Sequence, residues 1–541
     1  MWFLQVVWYE LCYSEATALR LLRVRALAST TGTTDNERQH MTQPDRAQDP
    51  IAASAPVIGA VVFLAGAIVM VLELVGSRLL APFFGNSLFV WTSLIGVMLG
   101  FMALGGFLGG RLADRRLSLS VLFWILLAAS VSVSAIAFVE YALLSKLAEG
   151  SSLRTAAVLS AALLFAIPST LLGAVSPYCT RLRLHALSDS GATVGSLYAL
   201  STMGSIVGTF AAGFWLIARI GSHDLVIWLA GALLALSLLV AAPFAPRRGA
   251  AALAALALLI AAAVGTNAYA GSFDTQYDRY FIGQVTEEET GRSIVTLARD
   301  DYSIESATYL DNGEPYLLDY YRYYDLALAS APTVRRTLLI GGGAFSYPRH
   351  QLAAYPSSAA DVVEIDGELV DIARSTFALT DDPRLNVIVE DGRTFLNRAD
   401  DTYQVILIDA FKSASSIPYQ LTTLESMRHC ERLLDDDGIL AMNIVASPSG
   451  PGSRFLWAEY ATLSAVFPHV EVFAVYDPAA TAEIQNIAVI ASKSADSDLL
   501  ATLEREAPEL AARRILPPPD ATTLPLITDD FAPVDQYLMD L

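Results

Sequence analysis

Apolar residues run almost unbroken along the first half of the chain after residue 55, and they alternate with polar stretches in the second half. Seven apolar runs, 57–75, 88–109, 119–141, 155–175, 193–217, 224–243 and 250–268, are long enough to cross a bilayer, which takes about 20 residues. Backbone polar groups in lipid need internal partners, so these runs are expected to be helices. Small residues recur along two of them: Gly96, Gly100, Gly105, Gly106, Gly109 and Gly110 in the second, and Gly195, Gly204, Gly208 and Gly213 in the fifth. That spacing predicts close contact between helices.

Beyond residue 271 the period changes. Stretches 293–297 and 307–310 alternate like strands, and Asp311-Asn312-Gly313 is a turn signal, which together predict a small β-rich lead-in. Short apolar strands at 337–340, 361–365, 386–390, 405–408, 439–444 and 487–491 then alternate with helical patterns such as 368–377 and 425–434. This alternation predicts a doubly wound, Rossmann-like α/β sheet with its ligand at the carboxyl ends of the strands. The expected organisation is an uncertain N-terminal extension at 1–50, a transmembrane domain at 51–270, the lead-in at 271–335 and the Rossmann-like domain at 336–541. In residues 1–27 the charges Glu10, Glu15, Arg20, Arg23 and Arg25 break any signal-peptide core. Met41 is the expected natural start, the alternative being a disordered or interfacial extension.

Composition sharpens this division. The chain of 541 residues is 54% hydrophobic, with mean hydropathy +0.45, too apolar for one soluble protein. Its net charge of −20 comes from carboxylates gathered in the second half, which argues against nucleic acid as a partner. Cys12, Cys179 and Cys430 are too scattered for a disulfide framework or a zinc site, and the six histidines show no ligand spacing, so no metal is expected.

Charge also bears on sidedness. Arg111, Arg115, Arg116, Arg181, Arg183, Arg247 and Arg248 follow the even-numbered runs, against Arg78, Lys146, Arg154 and Arg219 after the odd ones. The positive-inside rule then places the N-terminus inside and, with seven crossings, the soluble half outside. Glu73 and Arg78, at the end of the first run, are either a functional intramembrane pair or interfacial snorkelling residues. Gly110-Arg111-Leu112-Ala113-Asp114-Arg115 looks like a loop motif of major-facilitator transporters.

Four strand ends carry candidate chemistry. Leu338-Leu339-Ile340 runs into Gly341-Gly342-Gly343, a turn without side chains where backbone can approach a nucleotide. Glu364 or Asp366 closes the second strand and can accept from ribose hydroxyls. Asp391, beside Gly392, follows the third strand and can accept from an adenine amine. Asp409 ends the fourth strand and can act as a base. Upstream, Tyr316, Tyr320, Tyr321, Tyr323 and Tyr324 interleave with Asp319 and Asp325, either as a helix edge or as a pocket wall for a cation.

At this point the chain resembles the spermidine synthase family of aminopropyltransferases, in its membrane-fused bacterial branch. The resemblance rests on Glu73-Leu74-Val75-Gly76-Ser77-Arg78-Leu79-Leu80-Ala81-Pro82, the three glycines, Val363-Glu364-Ile365-Asp366, Asp391-Gly392-Arg393, Ile408-Asp409-Ala410-Phe411, Leu421-Thr422-Thr423 and Thr528-Asp529-Asp530-Phe531-Ala532-Pro533. It implies a transferase domain of the S-adenosylmethionine-dependent type. The implied reaction moves a 3-aminopropyl group from decarboxylated S-adenosylmethionine to an amine such as putrescine, giving spermidine and methylthioadenosine. The donor is a co-substrate, and no permanently bound cofactor is implied. Glu364 would hold the ribose, Asp391 the adenine, and Asp409 would deprotonate the amine. Tyr323 and Asp325 fall in the segment that binds substrate. The partners implied are a small-molecule amine, the lipid bilayer and, as a candidate, a second copy of the chain. The site of its donor's synthesis outweighs the arginine bias, so a multi-pass protein of the cell membrane with a cytosolic soluble domain is expected.

The chain departs from the family pattern: Tyr323-Tyr324-Asp325 stands for its Tyr-His-Glu, its hairpin Tyr-Gln has no match, and two cation-binding acids are missing. Soluble members carry an aspartate after the glycines, for the donor's amino group, where this chain has Ala344. They carry a second aspartate, for the diamine, where this chain has Lys412. Each lost charged hydrogen bond is worth about 1.5–3 kcal/mol. The alternatives are therefore an S-adenosylmethionine-dependent methyltransferase and a non-catalytic polyamine- or nucleoside-binding sensor or transporter.

Overall fold

The computed structural model describes residues 55–538, apart from 86, 151–152, 185–189, 218, 242–271, 288–289, 300–303, 311–316 and 411–416. The N-terminal extension, the run 250–268, the Asp311-Asn312-Gly313 turn and Lys412 lie outside the described residues. Among those described, six helices are long and apolar enough to cross a membrane. They are α1 (Ala55–Phe84), α2 (Leu88–Arg115), α3 (Leu119–Gly150), α4 (Leu153–Arg183), α5 (Ser190–Ala211) and α6 (Ser222–Ala241). Each of the first four outruns its apolar stretch. In α1 the helix continues through Glu73 and Arg78, because Glu73 is buried and Arg78 donates to backbone carbonyls beyond the bundle.

Glycines set the helix contacts. A Cβ on Gly204 would lie 1.9 Å from the carbonyl oxygen of Phe63, and one on Gly208 would lie 2.4 Å from that of Ala67, so α1 and α5 meet backbone to backbone. Likewise, a Cβ on Gly105 would lie 2.0 Å from the Thr170 carbonyl oxygen, joining α2 to α4. Of the other expected contact residues, Gly96, Gly100, Gly110, Gly195 and Gly213 have nothing within 4 Å of a built Cβ. They face outward. A π-helical turn, Ala212–Leu216, closes α5.

The soluble half opens with an antiparallel sheet of β1 (Ser272–Asp274), β2 (Arg279–Thr286), β3 (Ser293–Ala298) and β4 (Ile304–Tyr309). Helix α7 (Tyr321–Ser330) leads into the larger sheet. Its elements in chain order are β5 (Arg336–Ile340), α8 (Ser346–Ala354), β6 (Ala359–Glu364), α9 (Gly367–Thr376), β7 (Leu385–Val389), α10 (Gly392–Arg398), β8 (Tyr403–Ile408), α11 (Leu424–Leu433), β9 (Leu434–Ala446), α12 (Arg454–Ser464), β10 (His469–Ala474) and β11 (Gln485–Ser492). The order across the sheet is β10-β11-β9-β8-β5-β6-β7. Strands β5 to β9 pair in parallel, and β11 runs antiparallel between β9 and β10. This mixed, doubly wound sheet is the Rossmann-like topology of methyltransferase-type folds. Two apolar layers cover its faces, one around Leu338, Ile406 and Met442 and one around Leu339, Leu407 and Ala441. The alternation of neighbouring residues between them follows from the pleat. Chain order reverses at β5, which lies between β6 and β8, so a crevice opens at the carboxyl ends of these strands.

The soluble half docks on one end of the bundle. The Ser222 amide at the start of α6 donates to Asp274 at 2.7 Å, and the Leu88 amide at the start of α2 donates to Asp535 at 2.8 Å. His223 and Glu140 lie 2.9 Å apart beside Arg279 of β2. At the other end of α2 and α4, Arg181 pairs with Asp114 at 3.5 Å, and the Tyr178 hydroxyl donates to the Arg116 carbonyl. The described loop arginines after α2 and α4 therefore sit at the end away from the soluble half.

Candidate active site

The glycine turn is shaped by two left-handed glycines, Gly341 at φ +96° and Gly343 at φ +50°. A Cβ on Gly341 would meet the Asp409 carbonyl oxygen at 2.4 Å, and Phe345, at φ +60°, completes a strained entry into α8. The amides of Gly342 and Gly343 donate to one oxygen of Glu364 at 2.8 and 3.0 Å, and the Asp366 amide donates to the other at 3.0 Å. Burial pushes the Glu364 carboxyl up, against the pull of these three amides. Glu364 thus faces the turn, with lone pairs left to accept from a ligand.

Asp366 is committed differently. Its side chain caps α9 by accepting from the Glu368 amide at 3.2 Å, and it also accepts from the Thr275 hydroxyl. Of the two candidates at this strand end, Glu364 addresses the turn and Asp366 ties down its surroundings. Asp391 caps α10, accepting from the Thr394 amide at 2.9 Å, and stays partly exposed. Gly392 is required there by packing, because a Cβ would lie 2.6 Å from Ile340. Tyr277, on the turn before β2, completes this side. Burial and the charges of Asp366, Asp391 and Glu364 push its hydroxyl up.

Asp409 lies across the crevice. One carboxylate oxygen accepts from the Tyr320 hydroxyl at 3.0 Å, and the other accepts from the Asn443 amide nitrogen at 3.3 Å. Asn443 is itself held by Asn486 at 2.9 Å. Burial pushes the Asp409 carboxyl up to about 6, opposed by hydrogen bonds from Asn443, Tyr320 and Tyr324. The residue as a whole is partly exposed. Such a carboxylate is ionised at pH 7 and more basic than an ordinary aspartate.

The rings of Tyr320 and Tyr321 lie 4.6 Å apart between centroids, and those of Tyr320 and Tyr324 lie 5.6 Å apart, forming a buried wall beside Asp409. Burial pushes these hydroxyls up, so they remain proton donors. Aromatic faces next to a carboxylate suit a cation.

The two expected substrate residues have partners of their own. Tyr323 points away from Asp409: it packs on Phe473 and donates to the Ala474 carbonyl at 3.0 Å. Helical phase is the reason, since neighbouring positions are turned by about 100° and Tyr323 therefore leaves the side on which Tyr324 meets Asp409. Asp325 pairs with His350 at 2.9 Å and accepts from Tyr347 at 3.2 Å. Ala344 is fully buried in an apolar cluster with Tyr280, Val295, Leu297 and Phe377, and its amide donates to Ser306 at 3.0 Å. That position offers no acid to a donor's amino group.

Sequence reasoning missed Asn443, Ser306, Thr275 and Tyr277. Asn443 did leave a signal, as a polar residue within the apolar run Ile439-Leu440-Ala441-Met442 and Ile444.

Residues 323–499 match the spermine/spermidine synthase domain. A probable polyamine aminopropyl transferase of Bifidobacterium longum is 31% identical over 156 residues, covering 28% of this chain and 33% of that protein. A polyamine aminopropyltransferase of Clostridium beijerinckii is 31% identical over 173 residues, covering 30% of this chain and 59% of that protein. A solved structure of a probable spermidine synthase from Corynebacterium glutamicum superposes with TM-score 0.38 at 25% identity, over 44% of this chain and 86% of that one. The chain thus spans between a third and three-fifths of the length of these two curated relatives. Residues 323–499 are thus similar to the spermine/spermidine synthase domain and to these polyamine aminopropyltransferases.

Proposed function

We propose that the protein is a membrane-anchored aminopropyltransferase that moves a 3-aminopropyl group from decarboxylated S-adenosylmethionine to an amine such as putrescine. The observation that carries this reading is Asp409, a carboxylate of raised basicity held by Tyr320 and Asn443 across the crevice from Glu364. In the proposed reaction Glu364 takes the ribose hydroxyls and Asp391 the adenine amine, with the glycine turn against the nucleoside. An ammonium has no lone pair, so Asp409 first accepts a proton from the acceptor. The freed nitrogen pair forms a bond to the methylene carbon beside the sulfonium. The carbon–sulfur bond breaks, its electrons remain on sulfur, and neutral methylthioadenosine leaves. The tyrosine wall steadies both cations.

One observation favours a second reading. Ala344 lies in an apolar cluster, so nothing at that position grips a decarboxylated donor or repels a carboxylate-bearing one. A methyltransferase using intact S-adenosylmethionine fits that feature. Mass spectrometry of the nucleoside product separates the two: methylthioadenosine supports the first, and S-adenosylhomocysteine supports the second.

The six apolar helices support a multi-pass protein of the cell membrane. The proposal keeps the soluble half on the cytosolic face, where the donor is made, against the arginine bias. It takes a small-molecule amine and lipid as partners.

A further inference from the structure

The turn 275–278, between β1 and β2, is held from two sides. On one side, Arg78 of the membrane helix α1 donates to the carbonyls of Gln276 at 2.5 Å and Thr275 at 2.6 Å. On the other side, the Thr275 hydroxyl donates to Asp366 and the Gln276 amide donates to Glu368, both at the start of α9. Inside the turn, that same hydroxyl accepts from the amides of Tyr277 at 3.1 Å and Asp278 at 3.0 Å, and the Thr275 amide donates to the Asp278 carbonyl at 2.8 Å. The turn is therefore a rigid bridge, with carbonyls toward the membrane helix and its hydroxyl and one amide toward the crevice.

The bridge leads into the donor site. Asp366, fixed by Thr275, presents its amide to Glu364, and Glu364 is shared with the amides of Gly342 and Gly343. Tyr277, carried on the same turn, faces Glu364, Asp366 and Asp391. Around Arg78 lie three carboxylates, Asp274, Asp278 and Asp366, which favour a cation at that point.

We propose that Arg78 is a positioning residue for the nucleoside-donor site: from the membrane helix it orients the 275–278 turn, which sets Asp366 and Tyr277 and, through the Asp366 amide, Glu364. The inference rests on reading this crevice as a nucleoside site. Its consequence is that the membrane helices do more than anchor, since removing them removes the fixed point of the donor site.

The test uses the full chain in detergent and measures binding of 5′-methylthioadenosine by calorimetry. Arg78→Ala weakens binding about tenfold, the value of one charge-assisted hydrogen bond, and Arg78→Lys, which keeps a donor, falls between it and the wild type. Thr275→Val keeps Arg78 and both of its carbonyl acceptors yet breaks the link to Asp366, and it weakens binding to a similar extent. Asp535→Asn loosens a different docking contact, at Leu88, and leaves binding unchanged. With turnover as the readout, the two bridge variants raise KM for the donor while kcat holds. Wild-type affinity in Arg78→Ala overturns the inference, as does equal weakening by Asp535→Asn, which would show a general effect of docking. A wild-type protein that binds no nucleoside, with Glu364→Gln indistinguishable from it, overturns the reading of the crevice itself.

Discussion

The Tyr320 hydroxyl donates to a carboxylate oxygen of Asp409 across 3.0 Å, joining the residue that precedes α7 to the end of β8. The bond stabilises the ionised form and opposes burial, which pushes the Asp409 carboxyl up to about 6. A base near 6 loses activity as pH falls through that value, because the protonated acid cannot accept a proton. The pH profile of kcat/KM is therefore expected to drop below about pH 6. In Tyr320→Phe the opposing hydrogen bond is gone, so the acid limb moves up by about one unit, the value of a charged hydrogen bond. A rate measured from pH 5 to 9 on both proteins checks this. An unmoved limb would mean that another group titrates.

The same carboxylate costs stability. Its folded value of about 6 lies above the ordinary 3.8, so the folded chain binds the extra proton between those two values. Stability from this group is present at low pH and falls as pH rises through 4 to 6, by on the order of 3 kcal/mol. Asp409→Asn, neutral at every pH, is expected to cut turnover severely without lowering the melting temperature at pH 8. A marked drop in melting temperature would show that the carboxylate serves packing.

Gly341→Ala meets two obstacles at once, φ +96° and a Cβ 2.4 Å from the Asp409 carbonyl oxygen. Both obstacles involve backbone, which cannot swing aside. A loss of about 3 kcal/mol or more in unfolding free energy, together with loss of nucleoside binding, is expected by denaturant titration. Near-wild-type stability would contradict the geometry of the turn.

In the helical bundle, Gly204→Leu and Gly195→Leu form a matched pair in α5. A Cβ on Gly204 would lie 1.9 Å from the Phe63 carbonyl, whereas one on Gly195 meets nothing within 4 Å. The first variant is expected to lower thermal stability in detergent markedly. The second should change stability by less than about 0.5 kcal/mol. Equal effects would contradict the close contact of α1 and α5.

Sidedness is open to cysteine labelling in intact cells, with Cys12 replaced by serine and Cys179 and Cys430 buried. Asp381→Cys marks the soluble half, where the side chain is 97% exposed, and Arg116→Cys marks the opposite end of the bundle. A membrane-impermeant maleimide is expected to spare the first and label the second. The reverse pattern would place the soluble half outside, as the arginine bias does.

The strand ends were legible because their signal is local. A buried strand running into Gly341, or into Glu364, reads from a handful of neighbouring residues. The tyrosine segment was not legible in the same way. Tyr320, Tyr321, Tyr323 and Tyr324 show no polar contrast from which helical phase could be read, so the residues left the tyrosines undivided and only the family resemblance singled out Tyr323. Asp366 and Glu364 look alike as acids two residues apart, and only the cap on α9 and the Thr275 contact tell their roles apart. The Arg78 contact with Thr275 spans 197 positions: Arg78 stood out as an ionisable residue at the end of an apolar run, but nothing in the sequence marked its partner.

The most direct measurement is methylthioadenosine release from decarboxylated S-adenosylmethionine and putrescine, by purified wild type and Asp409→Asn, with nucleoside binding measured alongside. The account predicts methylthioadenosine and spermidine from the wild type, and a loss of about 10²- to 10⁴-fold in the variant with binding intact. Turnover near the wild-type rate in Asp409→Asn, or a wild type that binds the donor and releases no methylthioadenosine, would contradict it.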